Sequence, residues 1–264
     1  MRTDANVSGM LKVDWSGDTY ADVSALQKWL AEESLASLSI GSQESVLDAG
    51  CGDGRITAQI AQNTSGRVVG FDASPHMVSH AVEHHRLPNL SFVEAVAQEY
   101  RSSEPFDRLV SFNALHWVPR AELGEVFANL ASCLKPGARA HIRLVGLGQL
   151  ESLESVIETT CLLPEWREFF PDFQTRFCHP TVEEMRGWVE AAGFRVESIE
   201  QTLKSWDFEA EEDFRRWADT TFVAWSASVP EARRVAFETE ALARYSSPTV
   251  FQFYQMVTNL TKIA

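Results

Sequence analysis

The chain lacks an apolar segment long enough to cross a membrane. None of its 264 residues belongs to a run of about eighteen apolar residues. Residues 1–15, MRTDANVSGMLKVDW, also lack the uninterrupted apolar core that a signal peptide needs. We therefore expect a soluble, cytoplasmic protein that does not contact a membrane.

Cysteine and clustered basic residues are scarce as well. The four cysteines lie far apart without C-x-x-C spacing, which argues against a structural zinc site and against a disulfide framework. The formal net charge is −14, and no Lys/Arg cluster is longer than a pair. Because binding to a phosphate backbone requires a basic surface, we expect no nucleic-acid partner.

Strand and helix patterns alternate as far as residue 146. The segments SVLDAG, RITAQIAQNT and RVVGFD predict a strand, a helix and a second strand. Ser74-Pro75 is typical of a helix start, with Ser as the N-cap. Such alternation predicts an α/β fold: a Rossmann-like, doubly wound, mainly parallel sheet with helices on both faces. Further strands are expected at LSFVEA, FDRLVSF and ARAHIRLVG.

The composition changes in the second half of the chain. Of the 28 aromatic residues, 18 fall after residue 145. TVFQFYQMVTNLTKIA predicts a last strand that returns to the sheet, whereas the helical stretch before it need not join the sheet. We expect residues 1–264 to form a single domain, with a cofactor-binding core at 40–146. A helical cap over the substrate is expected from the N-terminal helix and from later insertions, at 15–38, 150–180 and 209–247.

The stretch VLDAGCGDG, residues 46–54, predicts a strand that ends in a glycine-rich turn. A P-loop would require G-x-x-x-x-G-K-[ST], but Arg55-Ile56 follows Gly54. A dinucleotide-binding turn would require G-x-G-x-x-G, but the third glycine position is Arg55. An acidic residue after the second strand, Asp72, can accept hydrogen bonds from ribose hydroxyls, and this serves NAD and S-adenosylmethionine equally.

Taken together, VLDAGCGDG, VVGFDASPHM, SFVEAVAQEY, FDRLVSFNALHW and LKPGARAHI resemble the class I S-adenosylmethionine-dependent methyltransferases. The likeness is close over about residues 40–146 and looser over the whole chain. The segments ALHW and YADVSALQKW are similar to the branch with juvenile hormone acid and trans-aconitate methyltransferases, which methylate carboxyl groups.

The resemblance implies S-adenosylmethionine as the cofactor, and it implies roles for residues at the strand ends. Asp48 would face the methionine end, Asp72 would hold the ribose hydroxyls, and Asn113 would offer its backbone carbonyl to the methionine ammonium. The glycines would let the backbone approach the cofactor. The complete set of implied cofactor-binding residues is Asp48, Gly50, Gly52, Asp72, Ala73, Met77, Ala97, Gln98 and Asn113.

The adenine side departs from the family pattern. The resemblance implies that Ala73 and Met77 flank the adenine. Many members carry an Asp where this chain has Val96, and that Asp accepts from the adenine amino group. Backbone groups near Ala97, or Gln98, would have to replace it.

On the substrate side, the resemblance implies that Gln27 and the indole N–H of Trp117 orient a carboxylate, with Tyr20 nearby. Both Gln and Trp side chains can donate hydrogen bonds to carboxylate oxygens. A carboxylate is already ionised at neutral pH, so its methylation needs alignment with the methyl group but no general base. The aromatic second half indicates a small-molecule substrate with an apolar body.

Two alternatives concern the acceptor. An amine or a phenol would have to lose a proton, and His116 is then the candidate base for N-, C- or phenol O-methylation. Arg143, in the strand ARAHIRLVG, could meet an anionic substrate or could pair with a nearby acid.

Other classes of function also stay open at this stage. His76, His80 and His84 have the i, i+4, i+8 spacing of metal ligands, but the sequence places no carboxylate or cysteine beside them, so we expect no metal. The same βαβ unit could serve a nicotinamide-dependent oxidoreductase or a binding protein without catalysis. We expect a monomer or a homodimer.

Overall fold

The computed structural model describes residues 25–263. Two residues expected on the substrate side are affected by this limit. Tyr20 lies outside the described residues, and so does the side chain of Gln27, although its backbone belongs to a described helix. The side chains of Ala25 and Lys28 are likewise outside the description.

The described chain alternates strands and helices as the sequence predicts. The strands are β1 Val46–Ala49, β2 Val68–Asp72, β3 Leu90–Glu94, β4 Phe106–Phe112, β5 Leu134–Gly146, β6 Phe194–Asp207 and β7 Val250–Lys262. The α-helices are α1 Ala25–Ala36, α2 Arg55–Gln62, α3 Pro75–His84, α4 Leu123–Ser132, α5 Leu153–Cys161, α6 Val182–Ala191, α7 Glu211–Ser226 and α8 Glu231–Arg244. Short 3-10 turns lie at Leu115–Trp117, Arg120–Glu122 and Arg167–Phe169.

The strands form one seven-stranded sheet in the order β3-β2-β1-β4-β5-β7-β6. Strands β1 to β5 pair in parallel, whereas β7 is antiparallel to both β5 and β6. The order reverses between β1 and β4, so the turns that follow these two strands lie side by side at the carboxyl edge. In open α/β sheets this is where ligands bind. The predicted fold class is confirmed.

Helices cover both faces of the sheet because buried residues alternate along its strands. In β1, Leu47 and Ala49 belong to a large apolar cluster that also contains Phe127 of α4. Val46 points to the opposite face, where it packs in a smaller cluster with Ile60 of α2. The large cluster is called the sheet core below.

Local signals set the helix ends. The Ser74 hydroxyl accepts from the Met77 N–H at 3.3 Å, which confirms Ser74 as the N-cap of α3. At α6, Thr181 and Glu184 form a reciprocal capping box. The helix ends before Gly193, whose φ of +85° is the left-handed conformation that glycine adopts readily.

A second apolar cluster, the cap core, lies apart from the sheet core. It joins α1, α5, α7, α8 and the beginning of β7, with Val145 from the end of β5. Most of its large side chains are aromatic: Trp166, Phe170, Phe214, Trp217, Phe222, Trp225, Phe237, Tyr245, Phe251 and Phe253. That these segments cover a substrate stays a prediction.

Strands β6 and β7 carry the cap beyond the sheet. The last pair between β5 and β7 joins Gly146 to Tyr254, but β6 and β7 remain paired as far as Asp207 and Val250. This four-residue ribbon extends about 13 Å beyond the carboxyl edge, given the rise per residue of a β-strand. It places α7 and α8, which connect its two strands, near that edge.

The structure also bears on the expectations about membrane spans and cysteines. Each helix of residues 25–263 is too short or too polar to cross a membrane. All four cysteines are buried free thiols.

Candidate active site

The glycine turn after β1 is folded tightly against the turn after β4. The N–H groups of Gly50 and Cys51 both donate to the carbonyl of Phe71 in β2, at 2.8 and 2.9 Å. Gly50 has a φ of +78°, and a Cβ added to it would lie 2.2 Å from the Cβ of Ala114. Only glycine fits at position 50, because a side chain would separate the two turns at which the strand order reverses.

Gly52 and Asp72 form the next part of the site. The Gly52 N–H donates to Asp72 Oδ2 at 3.0 Å, and the Ser74 N–H donates to Asp72 Oδ1 at 2.9 Å. These bonds fix a partly exposed carboxylate at the edge of the sheet. A Cβ built on Gly52 would meet no atom within 4 Å, so open space adjoins this backbone. Burial raises the pKa of Asp72, against the lowering effect of these backbone donors.

Asp48 is a buried carboxylate with one unused oxygen. Its Oδ2 accepts from the Thr57 hydroxyl of α2 at 2.7 Å, whereas Oδ1 has no hydrogen-bond partner among the described residues. Burial, together with the nearby charge of Asp72, raises the pKa of Asp48 to about 7. An ionised carboxylate here is stabilised by any cationic group that reaches Oδ1.

Asn113 stands directly after β4, opposite the glycine turn. Its φ is +53°, one of two positive values among the described non-glycine residues. Its N–H donates to the carbonyl of Arg143 at 2.8 Å, and its Oδ1 accepts from Gln255 Nε2 at 3.3 Å. The carboxyl edge therefore brings Asp48, Asp72 and Asn113 to three adjacent strand ends.

The expected adenine residues lie on the β2–β3 side. Ala73 is partly exposed and Met77 is buried. The carbonyl of Ala97 already accepts from Asn129 Nδ2 at 2.8 Å. The Gln98 side chain donates to Glu122, which leaves its Oε1 as a buried acceptor without a partner in the described chain.

Trp117 and His116 share the 3-10 turn Leu115–Trp117 but face different surroundings. The Trp117 ring is partly buried against the cap core, 6.0 Å from the ring of Trp225. His116 is buried, and its Nδ1 lies 3.5 Å from the Val145 N–H. Burial lowers the pKa of His116 to about 3, and nearby His179 contributes to the shift. His116 is therefore neutral and a very weak base.

Arg143 has an acid partner, which is one of the two alternatives that the sequence leaves open. Its guanidinium is buried, and it lies 2.7 Å from Glu33 of α1 and 2.9 Å from the Ser34 hydroxyl. The structure thus favours the ion-pair alternative, because the charge of Arg143 is already balanced within the protein.

The histidines of α3 do not gather metal ligands. The rings of His80 and His84 stack at 4.0 Å, and His84 Nδ1 lies 2.9 Å from the His80 carbonyl. In the described part of the chain, no three His, Cys, Asp or Glu side chains form a group that could hold a metal ion.

Sequence reasoning missed three polar residues that support the site. Thr57 binds Asp48, and Gln255 binds Asn113. His179 is buried, 6.1 Å from the ring of His116 and 4.0 Å from the Glu154 carboxylate. A polar residue in the buried phase of a predicted strand could have signalled Gln255, whereas His179 lies in an irregular segment without a pattern.

Comparison with known proteins bears on this geometry. Residues 46–137 match the model of a methyltransferase domain family. A stretch of 163 residues is 29% identical to trans-aconitate 2-methyltransferase of Escherichia coli and covers 60% of this chain and 60% of that relative. Residues 46–137 are therefore similar to the class I methyltransferase family. S-Adenosylmethionine is the cofactor of that family, as the sequence resemblance implied.

Solved structures support the fold of the described chain. The YcgJ protein of Bacillus subtilis superposes with a TM-score of 0.66 at 14% identity, covering 90% of this chain and 99% of that chain. The [4+2]-cyclase SpnF superposes with a TM-score of 0.56 at 17% identity, covering 90% and 80%. Since a cyclase has the same fold, the fold alone does not determine the reaction.

Proposed function

We propose that the protein is an S-adenosylmethionine-dependent methyltransferase that converts the carboxylate of a small molecule with an apolar body into a methyl ester. The cofactor part rests on the similarity of residues 46–137 to a methyltransferase domain family and on the residues at the carboxyl edge. The acceptor part rests on the absence of a usable base at His116 and on the 29% identity to a trans-aconitate methyltransferase.

The residues at the edge fit the cofactor. The unpaired Oδ1 of buried Asp48 suits a cationic ammonium, directly or through a bound water. Open space beside Gly52 lets a ligand approach its backbone, and partly exposed Asp72 can accept from a ribose diol. When bound, S-adenosylmethionine supplies a methyl group on a cationic sulfur. Gln98 Oε1 is our candidate acceptor for the adenine amino group in place of an Asp at position 96.

The state of His116 is the observation that favours a carboxylate acceptor. A phenol or a protonated amine must lose a proton before it can attack, and a base works best when its pKa lies near the working pH. Burial lowers the pKa of His116 to about 3 and also lowers that of neighbouring His179. A carboxylate needs no base, so alignment in a dry site is enough.

The protein's contribution to catalysis is then to hold the acceptor. Trp117 lies where the turn after β4 meets the cap core, and its indole N–H is our candidate donor to a carboxylate oxygen. Gln27 of α1 is the expected second donor. The aromatic rings of the cap core provide an apolar environment for the rest of the substrate.

The cofactor is tested by calorimetric titration with S-adenosylhomocysteine and, in parallel, with NADH. We expect the wild type to bind only the first. Asp72→Ala should weaken that binding by about 2 kcal/mol, the scale of lost hydrogen bonds to a charged group. Asp53→Ala is the matched control, since the Asp53 carboxylate lies in the same turn and accepts a local bond from the Arg55 N–H at 3.1 Å. Equal losses in both variants would contradict the role of Asp72.

The acceptor is tested with panels of free acids, phenols and amines, each with labelled S-adenosylmethionine. We expect base-labile methyl esters from apolar acids. Turnover of phenols or amines with no ester from any acid would sink the carboxylate proposal, and the methyltransferase activity would stand.

A further inference from the structure

Four side chains form a continuous hydrogen-bonded path from α1 to the turn after β4. Arg143 of β5 binds Glu33 at 2.7 Å and Gln255 Oε1 at 3.4 Å. Gln255 of β7 then donates from Nε2 to Asn113 Oδ1 at 3.3 Å. The path is called the Glu33–Asn113 relay below.

The interior of the relay is shielded from water. Arg143 and Gln255 are 3% and 1% exposed. Gln255 also donates to the carbonyl of Leu144 at 2.9 Å, which fixes its amide between β5 and the turn. A buried amide with all of its groups engaged has one favourable orientation, so its bond to Asn113 is directional.

Asn113 needs such support. A non-glycine residue at a φ of +53° is held there by its surroundings, and Asn is among the residues that tolerate this region best. Two hydrogen bonds hold Asn113 in this conformation. Its backbone N–H donates to the carbonyl of Arg143, and its side chain accepts from Gln255. Both bonds come from the two strands that meet at Gly146 and Tyr254, beside the carboxyl edge.

The other end of the relay belongs to α1, the helix that carries Gln27. Glu33 binds Arg143 and also Lys204 of β6, whose Nζ lies 2.5 Å from Oε1. Although burial raises the pKa of Glu33, the hydrogen bonds from Lys204 and Arg143 outweigh this effect and lower the pKa. Glu33 is therefore ionised at neutral pH and ties α1 to the sheet.

We propose that Gln255 and Arg143 are positioning residues, which fix Asn113 for the cofactor and couple its conformation to the placement of α1. The relay rests on the proposed function, because it takes Asn113 as a cofactor contact. It assigns Arg143 to the architecture of the site and excludes it from direct contact with an anionic substrate. Ordering at one end of the relay then favours ordering at the other.

The test compares Gln255→Leu with Asn259→Leu. Asn259 lies on the same strand and also bonds across it, to His141 at 2.8 Å and to Ser198 at 3.0 Å, but it does not belong to the relay. We expect Gln255→Leu to weaken S-adenosylhomocysteine binding about fivefold, the scale of one lost hydrogen bond. Asn259→Leu should bind like the wild type, even if both variants melt at lower temperature.

Hydrogen exchange gives a second readout that needs no ligand. In Gln255→Leu we expect faster exchange at the Asn113 amide, and in Asn259→Leu an unchanged rate. With ligand, the wild type should gain protection in α1, and Gln255→Leu should not.

The outcomes separate the two proposals. If the wild type binds the ligand and both variants match it, the relay is overturned and the methyltransferase proposal survives. If the wild type fails to bind, the proposed cofactor is overturned. The Asn113 exchange rate then still tests whether Gln255 fixes Asn113: faster exchange only in Gln255→Leu supports this part of the relay, and equal rates in both variants overturn it.

Discussion

The cofactor edge and the cap meet at Trp117, but they are built in opposite ways. The edge is made of short turns after β1, β2 and β4, in which backbone N–H groups and carboxylates hold one another at about hydrogen-bond distance. The cap core is made of apolar side chains from four helices, the segment after α5 and the ribbon, and most of the large ones are aromatic.

Because of this difference, the two regions tolerate different amino-acid substitutions. At the edge, an added methyl group at Gly50 meets another side chain at 2.2 Å, so its sequence is tightly constrained. Aromatic packing in the cap depends on volume and shape, and it tolerates exchange of one apolar residue for another of similar size. We therefore expect the sequence of the edge to vary less among relatives than the sequence of the cap.

The largest effect should come from opening a cavity in the cap. Phe237 is fully buried, with its ring 5.3 Å from Trp166 and 6.2 Å from Phe222. We expect Phe237→Ala to lower the free energy of unfolding by about 3–5 kcal/mol in chemical denaturation. Affinity for S-adenosylhomocysteine should persist in the folded protein. A comparable loss of affinity would break the separation of the two regions. Val235→Ala, on the exposed face of the same helix, is the control.

The next effect belongs to the edge. Gly50→Ala combines a left-handed φ with overlap against Ala114, and we expect it to cost about 3 kcal/mol or more. Gly52→Ala has open space around its Cβ and should cost only about 1–2 kcal/mol for its positive φ. Thermal melts of both variants, with ligand titrations of each, check the contrast. Equal melting temperatures would show that the two turns can separate without cost.

A substitution at Trp117 tests the place where the edge and the cap meet. We expect Trp117→Ala to lower turnover about 100-fold or more, the scale of losing one oriented donor, while ligand affinity stays near the wild-type value. Trp188→Ala is the control, because Trp188 packs on Phe127 in the sheet core. If turnover and affinity fall together in Trp117→Ala, Trp117 supports the edge and does not contact the acceptor.

The smallest effect concerns the pH dependence of Asp48. Its folded-state pKa, about 7, lies above the ordinary value of 3.8, so its contribution to stability is complete below pH 3.8 and is lost as pH rises through 7. Asp48→Asn lacks this loss and keeps an acceptor for Thr57. Its stability relative to the wild type should therefore rise by about 1 kcal/mol between pH 6 and 8, as urea titrations can measure.

Cofactor binding should change that profile. A cation at Oδ1 lowers the pKa of Asp48, so saturating ligand should flatten the pH dependence of the wild type. Weaker ligand binding by Asp48→Asn is the expected counterpart. If ligand leaves the pH dependence of wild-type stability unchanged, the cationic group of the ligand does not lie at Asp48 Oδ1.

The edge was readable from the sequence because its signals are local. Ser74-Pro75 starts α3 as expected, and Asp72 ends β2 only twenty residues after the glycine with which it pairs. The alternation of elements predicted the sheet. Turns and strand ends are determined by residues that are close in the sequence, so a sequence pattern can predict them.

The relay and the state of His116 could not be read in the same way. Arg143 left two alternatives open, and the choice depends on Glu33, which lies 110 residues earlier. Gln255 meets Asn113 across 142 residues. The pKa of His116 depends on burial by segments that join it only in the folded chain, such as Cys178, whose N–H donates to its carbonyl at 2.7 Å.

The insertion of β7 between β5 and β6 has a consequence for how the protein is made. Among the described strands, β7 is the one that lies between β5 and β6, and both of these emerge from the ribosome long before residues 250–262. Until then β6 has no neighbour among the strands that the structure describes, and β5 keeps an open edge, which is the kind of surface that recruits foreign strands. Nascent chains stalled before residue 250 should therefore depend on chaperones, and release of the last strand should end that dependence.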